Sequence, residues 1–287
     1  MKKTFSLVIF VLYVHHFSFA QYATAGAGSL RNEIWWFDWA GLNMANGASK
    51  TFTTTDGLTV TVTFSNVTSP VPVPNVMNNW VGAVLHFLYN FTDPAIKPAL
   101  RHTTTGIYSC SFTMQVTATR AGMPAPCTFI GADAEASITT EVTTLTTNGS
   151  NWQTVDFFRN SLQVTNPVTG CNTPTVSISD TYGGGTTPYG QNPIMATTTT
   201  TGSLSVDVIM DHRSTGGMAV AFGVMAPIDR GDLPATYGTV QHELTYSINN
   251  GCNYLPPLPS AIQSQTLKLG TVAGDADGYE SLDDNTA

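Results

Sequence analysis

Asp133 and Glu135, one residue apart in Gly131-Ala132-Asp133-Ala134-Glu135, are the pair best placed by type and spacing to do chemistry. On an extended segment both carboxylates fall on one strand face, where they can form part of a calcium site or an acid/base pair. A glycosidase needs roughly 5 to 10 Å between its carboxyls and a raised pKa on one of them, and sequence supplies neither. A solvated sheet edge is the competing reading. Asp275, Asp277, Asp283 and Asp284 are the better Ca2+ candidates, because hard divalent cations take clustered carboxylates. Their spacing is not that of an EF-hand, since Asp275-x-Asp277-Gly278 lacks the third acidic position, and without metal such a tail is too polar to fold.

Aromatic residues offer a different chemistry. In Ile34-Trp35-Trp36-Phe37-Asp38-Trp39 the rings of Trp35, Phe37 and Trp39 share one strand face, with Ile34, Trp36 and Asp38 on the other. Flat rings stack on sugars, but large aromatics more often fill a core. Asp38 among them is either solvated or held by backbone donors, because an unpaired buried carboxylate is strongly disfavoured. Other motifs fail on their neighbours. His242-Glu243 continues as Leu244-Thr245-Tyr246 without the second histidine of a zinc-protease helix, and Gly183-Gly184-Gly185 lacks the Lys-Ser or Lys-Thr of a phosphate loop. No Gly-x-Ser-x-Gly elbow occurs. Arg230-Gly231-Asp232 spells the integrin tripeptide, which is short enough to arise by chance.

Lys2 and Lys3, the apolar run Phe5 to Val14 and the small residues around Ala20 read as a secretory signal over residues 1–20. The run is too short for a membrane-spanning helix, and nothing later approaches the required length. Removing it takes two lysines from a chain of formal net charge −8, leaving 9 Lys+Arg against 19 Asp+Glu and a net charge of −10. So acidic a chain is a poor partner for nucleic acid. In an oxidising compartment the even count of four cysteines, Cys110, Cys127, Cys171 and Cys252, fits two disulfides. Nearest-neighbour pairing, Cys110 with Cys127 and Cys171 with Cys252, is the working expectation among three possible.

The elements that position these residues are strands. Leu58 to Phe64 alternates strictly behind the Asp56-Gly57 turn, with Lys50 to Thr55 as its hairpin partner. Tyr108, Cys110, Phe112, Met114, Val116 and Ala118 form the apolar side of a longer strand. Trp80 to Asn90 reads as a buried strand, Trp152 to Val164 as a bulged one, and Asn166 to Thr201 as loop. Leu204 to Asp211 and Met218 to Val224 read as a closing hairpin about Gly216-Gly217. The fold class is all-β: an antiparallel sandwich of about 200 residues, in the size range of lectin-like and jelly-roll modules. A boundary near Ala226 separates it from a short, irregular, acidic extension, residues 227–287.

Ile34 to Trp39, Asn46-Gly47, Asp56-Gly57-Leu58-Thr59-Val60-Thr61-Val62, Gly131 to Glu135, Glu141, Asn148-Gly149 and Trp152, in that order, resemble the ligand-binding non-repetitive domain of CshA-type bacterial surface adhesins over residues 23–226. Asp229 to Thr239, His242, Leu269-Gly270 and Asp275-Ala276-Asp277 are similar to an acidic segment that follows such domains. The resemblance implies a secreted or cell-surface, non-catalytic adhesin module. It would bind an extracellular glycoprotein or glycan and belong to a longer modular protein. The ligand-binding candidates are Trp35, Trp36, Asp38, Trp39, Asp133, Glu135 and Trp152. The alternative is a calcium-dependent carbohydrate-binding module of a secreted enzyme.

Overall fold

A computed structural model describes residues 21–78, 83–103, 106–135, 141–159, 166–179, 191–214, 217–226, 228–230, 241–243, 245–249, 251–252, 254 and 260–264. Its strands run in chain order as β1 (Ile34–Trp36), β2 (Ser49–Thr53), β3 (Leu58–Ser65), β4 (Val73–Asn75), β5 (Ala99–His102), β6 (Gly106–Arg120) and β7 (Met123–Pro124). They continue as β8 (Cys127–Asp133), β9 (Glu141–Thr147), β10 (Gln153–Arg159), β11 (Val168–Thr169), β12 (Thr175–Ile178) and β13 (Gln191–Thr199). Last come β14 (Ser203–Ser214), β15 (Met218–Met225), β16 (Ile228–Arg230), β17 (Gln241–Glu243), β18 (Thr245–Asn249) and β19 (Ser260–Ser264). The fold is all-β, with one 3-10 turn, Leu85–Phe87, among the described residues.

Two antiparallel sheets make a sandwich. One is ordered β10-β13-β8-β15-β5-β4, with β1 also on β15; the other is ordered β11-β12-β9-β14-β6-β3-β2, with β7 on β6. The alternation of β3 and β6 explains why they lie where they do. Their apolar side (Leu58, Val60, Val62, Phe64; Cys110, Phe112, Met114, Val116, Ala118) enters the inter-sheet core, and the ring of Phe112 meets Phe222 of the facing sheet edge-on at 6.3 Å. The β2–β3 hairpin forms as expected, with Gly57 at φ 81° supplying the left-handed turn position after Asp56.

The seven-stranded sheet is buried on both faces. Behind it a second core gathers Ile34, Trp36, Leu85, Tyr89, Ile130, Ala132, Val155, Ile194, Ala219 and Ala221 under the N-terminal segment and residues 83–97. One buried carboxylate ties these layers together. Asp156 accepts hydrogen bonds from Ser29 N (2.9 Å), Tyr89 Oη (2.5 Å) and its neighbour Phe157 N (2.8 Å), at the register shift of β10. Burial, then this carboxylate, pushes the Tyr89 phenol well above its ordinary pKa.

Several expectations need correction. β14 and β15 are not a hairpin: β14 is already paired with β6 along its whole length and with β9 on its other edge, so the chain crosses to the opposite sheet. Gly217 makes that crossing possible, because a Cβ there would meet His102 O at 2.2 Å. Residues 166–201 are not all loop, since β13 is a nine-residue strand between β10 and β8. Its Pro193 pairs with Phe157 of β10 and lies one step beyond the last rung to β8 at Ile194, at the end of that ladder. Leu85 to Asn90 forms the 3-10 turn and a bridge rather than a strand. His242-Glu243 lies in β17, which excludes the helical zinc motif.

Cys171 and Cys252 are bridged, with Cα atoms 5.6 Å apart. The expected Cys110–Cys127 bridge is absent; both thiols are free and buried. Cys127 opens β8 just after Ala125 N bonds Ala118 O, whereas Cys110 lies eight residues back along β6. That is about 26 Å of strand, far beyond the Cα separation of about 4.4–6.8 Å that a disulfide spans. Burial pushes both thiols up to about 12, with Asp211 adding to the effect at Cys110 and Asp56 at Cys127. Titration of the unreduced protein with an aromatic disulfide reagent should find no reactive thiol in the native state and two in denaturant. A count of zero in denaturant would overturn the single-bridge assignment.

Candidate functional site

The tryptophans proposed to stack on sugars are core residues. Trp35, Trp36, Trp39 and Trp152 are all fully buried. Trp35 meets the Tyr22 ring edge-on at 5.1 Å, Trp36 packs on Tyr89, and Trp39 is wedged among Phe37, Phe52 and Phe64. Apolar neighbours on both faces of β1 take both alternating sets of rings out of solvent, so none presents a face to a ligand. Asp38 is held by backbone donors: its Oδ1 accepts from Ala40 N and Lys97 N, each at 2.9 Å. Its neighbour Lys50 donates to Ala40 O at 2.7 Å, and its ammonium pKa is lowered by burial against the opposing pull of Asp38. This cluster fastens a loop.

Asp133 and Glu135 are brought to one end of the sandwich, but not on a solvated edge. Asp133 is buried at the end of β8; its Oδ1 accepts from Glu135 N at 3.0 Å and its Oδ2 from the Thr143 hydroxyl at 3.3 Å, while Asn192 Nδ2 donates to its carbonyl. Register brings further polar residues to the same end that sequence reading did not single out. His212 pairs with Tyr108 on β6 and with Glu141 on β9, and His102 closes β5 opposite Met218. His212 Nδ1 lies 3.0 Å from Gly106 O, and its Nε2 lies 3.1 Å from Glu141 Oε1. The Tyr108 ring stacks on His212 at 4.8 Å and receives His102 edge-on at 4.3 Å. The available signal was parity: Tyr108 and His212 fall on the apolar side of alternating strands, where a polar residue is out of place.

This cluster is electrostatically tense. Burial, followed by His212 and Arg101, pushes the His102 imidazole down to about 4. Neither of its ring nitrogens has a hydrogen-bond partner among the described residues. Burial also raises the Tyr108 phenol, reinforced by Cys110, Glu141 and Glu135. Among the described residues no group of three or more His, Cys, Asp or Glu side chains is arranged to hold a metal ion. Asp275, Asp277, Asp283 and Asp284 lie outside the described residues.

A broad face remains open. The outer side of the eight-stranded sheet is clad in hydroxyls: Ser49, Thr51 and Thr53; Thr59, Thr61 and Thr63; Gln115, Thr117 and Ser205; Thr144, Thr146, Thr175 and Ser177. Cross-strand pairs knit it, including Thr51–Thr61 (2.9 Å), Thr144–Ser177 (3.1 Å) and Thr146–Thr175 (3.0 Å), and Gln115 donates to Ser205 Oγ at 3.0 Å. Asp207, exposed in the middle, accepts from the Thr113 hydroxyl at 2.6 Å beside the exposed Ile209. Hydroxyls, an amide, one carboxylate and an apolar patch on a broad surface can hydrogen-bond and pack against a polar ligand.

His102 sets a pH dependence. Its folded value of about 4 lies below the ordinary 6.5, so between them the unfolded chain binds a proton that the folded chain refuses. The contribution is complete above pH 6.5 and is lost as pH falls through about 4. The difference between the protein and His102→Phe isolates this contribution. Urea unfolding at stepped pH should give the variant the shallower fall on acidification, and parallel curves would refute the assignment.

Among the described residues no helix is long and apolar enough to cross a membrane. Neither the comparison with curated proteins nor that with solved structures found a match. The family of the surface adhesin CshA non-repetitive domain 2 matches residues 32–225, the span from the N-terminal strand β1 to the end of β15. Covering most of the chain and both sheets, that match shows that this protein belongs to the CshA-type surface adhesin non-repetitive domain family.

Proposed function

We propose that this chain is a non-catalytic adhesin module that binds an extracellular glycoprotein or glycan. Family membership makes it a surface adhesin domain, and the observation that carries the finer reading is the open hydroxyl-clad face. One face of the sandwich is covered by the N-terminal segment, and the tryptophans are spent on the core. The broad described surface left for a partner is the outer side of β12-β9-β14-β6-β3-β2. Neutral hydroxyls suit sugar hydroxyls or an extended polypeptide, and Ile209 beside Asp207 offers an apolar contact flanked by an acceptor. The reading includes a secreted or surface location, a signal over residues 1–20, and a module ending near Ala226 within a longer protein. The family match ending at residue 225 supports that boundary.

Binding to immobilised extracellular-matrix glycoproteins and to a glycan array tests this. Ile209→Arg and Asp207→Lys, both on exposed positions of β14, should each weaken binding at least about tenfold with little change in thermal stability. Binding to none of the panel, or binding untouched by both substitutions, would count against the face. Loss of sugar binding on chelation would instead favour a calcium-dependent carbohydrate-binding module.

A further inference from the structure

We propose that the Cys171–Cys252 bridge is a load path: tension entering from the C-terminal side passes through it straight to the β11–β12 turn and bypasses the chain from β12 to β18. The inference rests on the adhesin reading only for the origin of the force. Its basis is connectivity. The bridge joins residues 81 apart in sequence, and the chain it short-circuits contains β13, β14 and β15. Those three strands hold the sheets together from within: β14 lies between β9 and β6, β15 between β8 and β5, and β13 between β10 and β8.

Apart from the bridge, the described part of the C-terminal segment is held at the sheet's edge. The β18–β19 hairpin lies against the edge strand β10, and Thr154 N donates to Gly251 O at 2.6 Å. Tyr254 is buried there, its hydroxyl 2.5 Å from Thr154 Oγ1 and its ring 5.2 Å from Phe157. Peeling an edge breaks such contacts one after another. The tension would then reach β15, whose pairings with β8, β5 and β1 span the middle of the seven-stranded sheet. With the bridge closed, tension passes at Cys252 into Cys171. There the chain is fixed by reciprocal backbone bonds to the start of β10, Asn172 N to Trp152 O at 2.8 Å and Trp152 N to Thr173 O at 3.0 Å. Trp152 is itself locked in the core. The force entering from that side therefore meets the part of the sandwich that Trp152 anchors and does not run through the chain of β13, β14 and β15.

The test holds the full chain by its two ends in a force spectrometer. In the oxidised state the unfolding extension should fall short of the reduced state's by the 81 bridged residues, roughly 270–290 Å at about 3.3–3.6 Å each. The reduced chain, or Cys171→Ser/Cys252→Ser, should also rupture first at lower force and from the C-terminal side. Equal rupture forces in the two redox states would overturn the proposal even if the lengths differ. Should reduction alone unfold the chain, the oxidised protein decides the matter. Dithiothreitol thiolate attacks one sulfur of the bridge, forms a mixed disulfide and expels the other as thiolate, and its second thiol then releases the first cysteine. If the folded protein routes tension through the bridge, this cleavage accelerates with force before any unfolding step, because Cys252 is exposed. A cleavage rate indifferent to force until unfolding would overturn the load path. A chain that shows these steps yet binds no glycoprotein or glycan would sink the adhesin reading and leave the load path standing.

Discussion

The seven-stranded sheet is buried on both faces, and strand β15 feels that constraint most. One set of its side chains, Met218, Val220, Phe222 and Val224, fills the space between the sheets, while Ala219 and Ala221 face the second core behind. Small residues on the rear face let the N-terminal segment and the Leu85–Phe87 turn approach closely. Since β15 bonds β8 on one side and β5 and β1 on the other, one strand fixes the position of three others. The tryptophans follow from the same geometry. A strand laid beside β15 has no solvent side, so both alternating sets of β1 must be apolar, and Trp35 and Trp36 fill opposite layers.

This explains which parts of the fold were legible in the sequence. Strands covered on one side announce themselves by alternation: in β3, β6 and β14 the inward and outward sets read correctly, though each strand runs beyond the stretch that the alternation marks. Strands covered on both sides lose that signal. In β13, Ile194, Met195 and Ala196 are all buried behind Asn192-Pro193, a pair that reads as a loop. The false hairpin at Gly216-Gly217 has a similar origin. Two strands that both point their apolar side at one core look the same whether they are neighbours in a sheet or face each other across it.

The candidate site was legible only in part. Asp133 and Glu135 were found by spacing, but Thr143, which bonds Asp133, and the Glu141, His212, Tyr108 and His102 cluster come from four other strands and meet only through register. That a disulfide forms was readable from compartment and count, but not which cysteines pair. The unpaired thiols were not, because the distance between Cys110 and Cys127 depends on the length of β6, not on the number of residues separating them. The tryptophan run was noticed for the right reason, bulk and flatness, yet burial in two layers removes it from any contact with solvent.

The hydroxyl lattice on the outer face has a consequence for how a partner would be captured. A surface made mostly of neutral groups holds few counterions and projects little field, so it neither draws a ligand from a distance nor loses its grip when salt rises. Encounter there is left to diffusion and contact, and selectivity falls to the fit of many short polar bonds.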